Sequence, residues 1–292
     1  DHIYEEGACR PGFLCSCKKY EPIKMIKMMD VPAMQIPSMR YHFAKESGIR
    51  RLMMTTAGGL GDQVAAEPTL RHAFKLFEGW EISLLTSFPE LYTHLPFHRV
   101  YQARSPEVSE LREEDYLTLH TYSKRQNMCD DFIAHHFTHA VDYCSLLAFQ
   151  RQLPIDERNI ILPGSDFYLS CKSIKVVVHP GRHWQSKTFP VAWWDDLLER
   201  LGRSHPHEVA IVGKDVDAET GTVSCAVPST VIDMRNQLTL PNLVSLLKHA
   251  QVVVTNDSAP LHIAAAGHAH ILHIASAKHP DHLTHWRRPH NS

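Results

Sequence analysis

The sequence predicts an α/β protein made of two Rossmann-like domains facing a central cleft, and three observations carry that prediction. Short apolar, β-branched runs alternate with longer amphipathic stretches from residue 50 to residue 275, the pattern of strands that feed crossover helices in a parallel sheet. The alternation restarts after Leu162-Pro163-Gly164, a natural joint between two such units. In both units the strand-to-helix connections are rich in glycine or small polar residues, and open α/β sheets hold ligands beyond the carboxyl ends of their strands.

Residues 1–48 stand apart as an irregular extension: they hold four of the 18 prolines and five of the nine methionines, and prolines at such intervals break any long helix. The first unit, residues 49–165, opens with a buried strand over Leu52–Thr56. A glycine turn and a helix over Gln63–Phe77 follow, then strands over Ile82–Thr86, Val100–Ala103 and Tyr116–Thr121. A further helix spans Asp130–Phe149, with Phe132, Ile133, Phe137, Val141, Leu146 and Leu147 at helical spacing.

The second unit, residues 166–292, begins with a strand over Ile174–Val178. A helix follows over Val191–Leu201, with Trp194, Leu197, Leu198 and Leu201 on one face. Strands over Val209–Val212 and Val231–Met234, a helix over Leu240–His249, a strand over Gln251–Thr255, a helix over Ala259–Ala266 and a strand over Ile271–Ala275 complete it.

Composition narrows the function classes. With 43% hydrophobic and 21% charged residues the chain has the makeup of a folded domain, not of a disordered one. No apolar run is long enough to span a bilayer and no signal peptide is visible, so a cytoplasmic protein with no stable membrane insertion is expected. Thirty Lys+Arg against 32 Asp+Glu give a net charge of −2, with no global basic field to draw nucleic acid. The 22 histidines make the chain strongly cationic once they protonate below about pH 6. Cys9, Cys15 and Cys17 cluster without the spacing of a zinc ribbon. His135 and His139 share a helix face but lack the glutamate of a zincin, so neither group is read as a metal site.

Three loops carry the chemistry. The first, Gly58-Gly59-Leu60-Gly61-Asp62, lets backbone approach a ligand closely. It is not a dinucleotide fingerprint, since Val64 stands where the third glycine would be and Ser87 where the ribose-binding acid would be. Asp62 has two readings, a helix cap or a catalytic carboxylate. The second loop runs from His179 through Gly181 to Lys187, and its Arg182 and Lys187 are cations suited to phosphate oxygens. The third, Thr255-Asn256-Asp257-Ser258-Ala259-Pro260-Leu261-His262, places capping residues and a first-turn proline where a helix begins, a seat for a diphosphate.

In order and spacing these loops resemble glycosyltransferase family 9, the ADP-heptose:lipopolysaccharide heptosyltransferases and their relatives, which have the GT-B fold. The family's Gly-x-Gly-Asp matches Gly59-Leu60-Gly61-Asp62. Its second motif matches Pro180-Gly181, Lys187, then Phe189-Pro190 in place of Trp-Pro, with Trp194 and Leu197. Its late signature matches Asp257-Ser258-Ala259-Pro260-Leu261-His262-Ile263-Ala264-Ala265, with Ala259 in place of glycine.

The resemblance implies an inverting, metal-independent transfer of a sugar from an ADP- or UDP-sugar to an acceptor hydroxyl, with no cofactor. Asp62 is then the general base. Gly181, Arg182, Lys187, Asp257, Ser258, Ala259, Pro260 and His262 bind the donor in the second domain. Gly59, Leu60 and Gly61 form the acceptor-side loop of the first. The expected acceptor is a glycan of the lipopolysaccharide type. A hydroxylated DNA base ranks behind it, on the nine Lys+Arg against six Asp+Glu of residues 1–51. Two other classes remain: a sugar-nucleotide epimerase or hydrolase on the same fold, and a binding module without turnover.

Overall fold

The computed structural model describes residues 48–112, 115–122, 138–182, 187–214, 221–275 and 282–283. Residues 1–47 of the expected extension, with its three cysteines, and His135 lie outside the described residues.

The first sheet is wholly parallel and contains β1 (Arg51–Thr55), β2 (Glu81–Thr86), β3 (Arg99–Gln102) and β4 (Leu117–His120), in the order β3-β2-β1-β4. Helix α1 (Leu60–Leu76) connects β1 to β2, and α2 (Ala140–Phe149) follows β4. Of the expected helix over Asp130–Phe149, residues 138–149 are described, and the helix starts only at Ala140, with residues 138 and 139 outside it. His139 caps it by accepting a hydrogen bond from the Val141 N–H at 3.2 Å, so His139 is committed to a helix end.

The second sheet holds β5 (Val176–His179), β7 (Val209–Ile211), β9 (Ile232–Asp233), β10 (Val252–Asn256) and β11 (His270–Ile274). All are parallel, in the order β11-β10-β5-β7-β9. Helices α3 (Val191–Ser204), α4 (Leu240–His249) and α5 (Ala259–Ala265) make the crossovers. A short antiparallel pair the sequence did not suggest, β6 (Gly181–Arg182) with β8 (Gly221–Thr222), lies beside the sheet. Two-residue strands leave no periodicity to read.

Both sheets reverse strand order once, the first between β1 and β4 and the second between β5 and β10. Loops at such a reversal splay to opposite faces and leave a crevice at the strand ends. The glycine loop leaves β1, and the other two chemical loops leave β5 and β10. All three therefore stand at the switch points.

One contiguous apolar cluster runs through both halves, from Leu52, Leu70 and Phe149 to Val177, Val253 and Ile263. A second cluster on the other face of the second sheet centres on Trp194, which is fully buried with Leu198 and Ile211. Emptying a site of that size costs about 3–5 kcal/mol.

The connection between the halves is held from both sides. Glu67 of α1 has a fully buried carboxylate that pairs with Arg71 at 2.8 Å and accepts the Ile161 N–H at 2.8 Å. Arg71 donates to the carbonyl of Asn159 at 2.6 Å, and Lys75 to the Glu157 carboxylate at 2.8 Å. From the other side, Lys248 of α4 donates to the Leu162 carbonyl at 2.7 Å and Ser245 to the Ser165 carbonyl at 2.6 Å.

Candidate active site

The glycine loop winds directly into its helix. α1 begins at Leu60, three residues before the start the sequence suggested, and Gly59 takes the cap position. Asp62 is thus not the cap residue but the third residue of the helix. Its carboxylate reaches back to accept the Gly59 N–H at 2.8 Å, which satisfies one of the donors every helix start leaves open. Asp62 remains partly exposed at the loop mouth. Gly58 has φ +82°, and a Cβ there would stand 2.6 Å from the Asp62 carboxylate and 2.8 Å from the Tyr122 ring. Only glycine fits that turn.

Beneath the loop, Gln63 acts as a buried polar pin. Its side-chain oxygen accepts from Thr56 at 2.9 Å and from Thr86 at 2.7 Å, and its backbone carbonyl accepts the Tyr92 hydroxyl at 2.6 Å. The end of β1, the end of β2 and the first turn of α1 are therefore fixed to one another. The sequence does not single out Gln63, because a glutamine after the Gly-x-Gly-Asp motif has no pattern of its own.

The other two loops are tied together at the second switch point. The Lys187 ammonium and the Asp257 carboxylate form an ion pair at 2.6 Å, with the carboxylate buried. Asn256, almost wholly buried, donates from its amide to the carbonyls of both Gly181 and Lys187 at 2.7 Å. Its amide oxygen lies 2.6 Å from where a Cβ on Gly181 would stand, so the glycine makes the approach geometrically available. Ser258 is the cap position of α5, and its hydroxyl lies 3.1 Å from Asn256 Oδ1, from Thr255 Oγ1 and from His179 Nδ1. Burial pushes the His179 imidazole down to a pKa of about 4, so it is neutral at pH 7. The sequence places Asn256, Thr255 and His179 in the chemical loops but does not show that they tie those loops together. Their signal was their place at the carboxyl ends of adjacent strands.

The first and third loops meet. α1 packs on α5, and the Cβ position of Gly61 is 3.5 Å from the Ala259 Cα and 2.8 Å from the buried His262 ring. Gly61 is thereby set against Ala259 and His262, and Lys187 pairs with Asp257, the residue that precedes Ser258. Arg182 ends β6, and its side chain lies outside what the structure describes. Among the described residues no helix is long and apolar enough to cross a membrane.

Solved glycosyltransferase structures share this architecture. A glycosyl transferase family 9 protein from Veillonella parvula superimposes with TM-score 0.56 at 14% identity, over 80% of this chain and 83% of its own. The ADP-heptose lps heptosyltransferase II of E. coli gives 0.54 at 15% identity, over 76% of this chain and 84% of its own. The dodecameric iron-containing glycosyltransferase TibC of enterotoxigenic E. coli gives 0.55 at 16% identity, over 77% of this chain but only 57% of its own, and TibC has also been solved with ADP-D-β-D-heptose. These likenesses establish a GT-B-like α/β fold. No curated protein sequence matches the chain. Residues 141–288 match the profile of glycosyltransferase family 9 (heptosyltransferase). With half of its length inside that profile and the motif loops gathered at the switch points of two parallel sheets, the chain belongs to glycosyltransferase family 9.

Proposed function

We propose that the protein transfers a sugar, with inversion and without a metal ion, from a nucleoside-diphosphate sugar to the hydroxyl of a glycan acceptor of the lipopolysaccharide type. In this reading residues 49–165 form the acceptor domain and residues 166–292 the donor domain. The single observation that carries it is the meeting of the Gly61-Asp62 turn with Ala259 and His262, one carboxylate at the edge of a cation-bearing loop pair.

The donor diphosphate lies against Lys187, Arg182 and the backbone of Gly181 and of Ser258 to Pro260. Lys187 exchanges part of its pairing with Asp257 for phosphate oxygens. Asp62 takes the proton of the acceptor hydroxyl. That oxygen bonds to the anomeric carbon from the face opposite the phosphate, and the bond from that carbon to the diphosphate oxygen breaks with its electron pair. Nucleoside diphosphate leaves with the added negative charge, which Lys187 and Arg182 balance, so no divalent ion is required for that role. His262 supports the first turn of α5. The buried thiols Cys144, Cys171 and Cys225 suit a reducing cytoplasm. TibC's ADP-heptose favours an ADP-sugar over a UDP-sugar as donor.

The test is release of nucleoside diphosphate from ADP-heptose and UDP-sugars, with and without lipopolysaccharide-core acceptors, in chelator. Acceptor-dependent release supports transfer. Acceptor-free conversion indicates an epimerase or hydrolase, and binding without release a module. Activity abolished by chelator and restored by Mg²⁺ overturns metal independence.

A further inference from the structure

The parallel register of the second sheet lines up three residues at the carboxyl ends of adjacent strands: His179 on β5, Thr255 on β10 and His273 on β11. Residues in register on neighbouring parallel strands face the same side of a sheet. The inner histidine is already engaged, with Nδ1 at 3.1 Å from the Ser258 hydroxyl and 3.4 Å from that of Thr255. The outer one is not. The Nε2 atom of His273 is shut off from solvent and has no hydrogen-bond partner among the described residues. Buried ring nitrogens are normally satisfied, so an orphan of this kind leaves a place for one more polar atom.

The electrostatic surroundings say which kind. The charged groups acting on His273 are Asp257, at the end of β10, and Lys187, beyond β6. These are the two members of the ion pair at the centre of the donor loops. The imidazole therefore sits in the field of the atoms that would hold a diphosphate. The family motifs described above do not include position 273, which in the sequence read only as part of a strand.

We propose that His273 is a donor-binding residue whose Nε2–H donates a hydrogen bond to a phosphate oxygen of the nucleoside diphosphate beside Lys187. The proposal rests on the reading of these loops as the donor seat. Its chemistry has a consequence. In the free protein burial, reinforced by the Lys187 ammonium and opposed by the Asp257 carboxylate, holds the imidazole below its ordinary pKa. His179, two strands away in the same row, is neutral and adds no charge. A diphosphate brings several negative charges to Nε2 and reverses the balance, so the ring takes up a proton as the ligand binds. Affinity then rises as pH falls toward 6.

Calorimetric titration of the full chain with ADP and with UDP tests this, at about pH 6 and about pH 8 and in two buffers of different ionisation enthalpy. The ligand's own protonation is common to every variant, so differences between variants isolate the histidine. His273→Leu weakens ADP binding about tenfold at the lower pH and loses the extra proton uptake. A tenfold loss is the size of one charge-assisted hydrogen bond. His273→Gln keeps an N–H donor, so it retains most of the affinity at about pH 8 but loses the same proton uptake. If the leucine variant does not fold, as judged by its melting curve, the glutamine variant decides. Wild-type affinity and wild-type proton uptake in these variants, with binding weakened in Lys187→Ala, remove His273 from the seat and leave the seat intact. No binding of ADP or UDP by the wild type overturns the seat and His273 together.

Discussion

Gly61 and His262 come from different halves of the chain, yet the His262 ring edge lies 2.8 Å from the point where a Cβ on residue 61 would stand. The close approach sets the distance between the glycine turn of α1 and the start of α5. It gives the family's second glycine a reason independent of backbone conformation: the space above it is taken.

Gly61→Ala must push the His262 ring aside. The expected cost is about 1–3 kcal/mol, the usual penalty of overpacking. Urea denaturation measures it. His262→Ala should recover most of that loss in the double variant, because the clash then has no second partner. Strict additivity of the two single changes would show that they do not touch.

Asp62 accepts a backbone hydrogen bond and is also the proposed base, and the two roles separate by substitution. Asn can still accept the Gly59 N–H, so Asp62→Asn should lose less than about 1 kcal/mol of stability. Turnover should fall roughly 10²–10⁴-fold, the contribution of a positioned general base. Affinity for ADP should stay near wild type. Normal turnover in a well-folded Asp62→Asn protein leaves Asp62 with its helix role only.

Asn256 joins Gly181 and Lys187 through two amide hydrogen bonds. Asn256→Ala strands two carbonyls at a cost of about 1–3 kcal/mol each where water does not enter. The loop carrying Lys187 then loses its anchor, so KM for the donor should rise more than kcat falls. A stability loss with an unchanged KM would make Asn256 a fold residue alone.

The neutral, buried His179 adds an acid sensitivity of definite sign. An unfolded chain protonates this residue near pH 6.5, whereas the native ring waits until about 4. Between those values the unfolded state binds more protons, so stability falls as pH falls through that window, by up to about 3 kcal/mol. Equilibrium unfolding at pH 7 and near pH 4 should show a steeper decline in wild type than in His179→Gln. Equal slopes would mean that His179 is solvated.

Strand identity and order of chemistry were legible because β1, β5 and β10 are short apolar runs ending in residues with distinctive roles. Helix starts were less so. Leu60 and Gly61 look like loop because glycine marks turns, but an aspartate that reaches back to Gly59 lets the helix begin early. Gln63 has no signal of its own, and Asn256 and His179 are legible as members of the chemical loops but not as pins. Each acts through partners far away in sequence, and only the strand register brings those partners near. His273 is the extreme case: a histidine in an edge strand has no local signal, and its meaning comes entirely from Asp257 and Lys187.

Glu67 holds the N–H of Ile161 and Lys248 holds the carbonyl of Leu162. Consecutive residues are therefore fastened to helices of opposite sheets, and their Cα atoms are only about 3.8 Å apart. The leash between the halves is one residue long at this point. Any opening that widens the gap between α1 and α4 here must release one of the two fasteners. The chain thus resists separation of α1 from α4 at the very point where it passes from one sheet to the other.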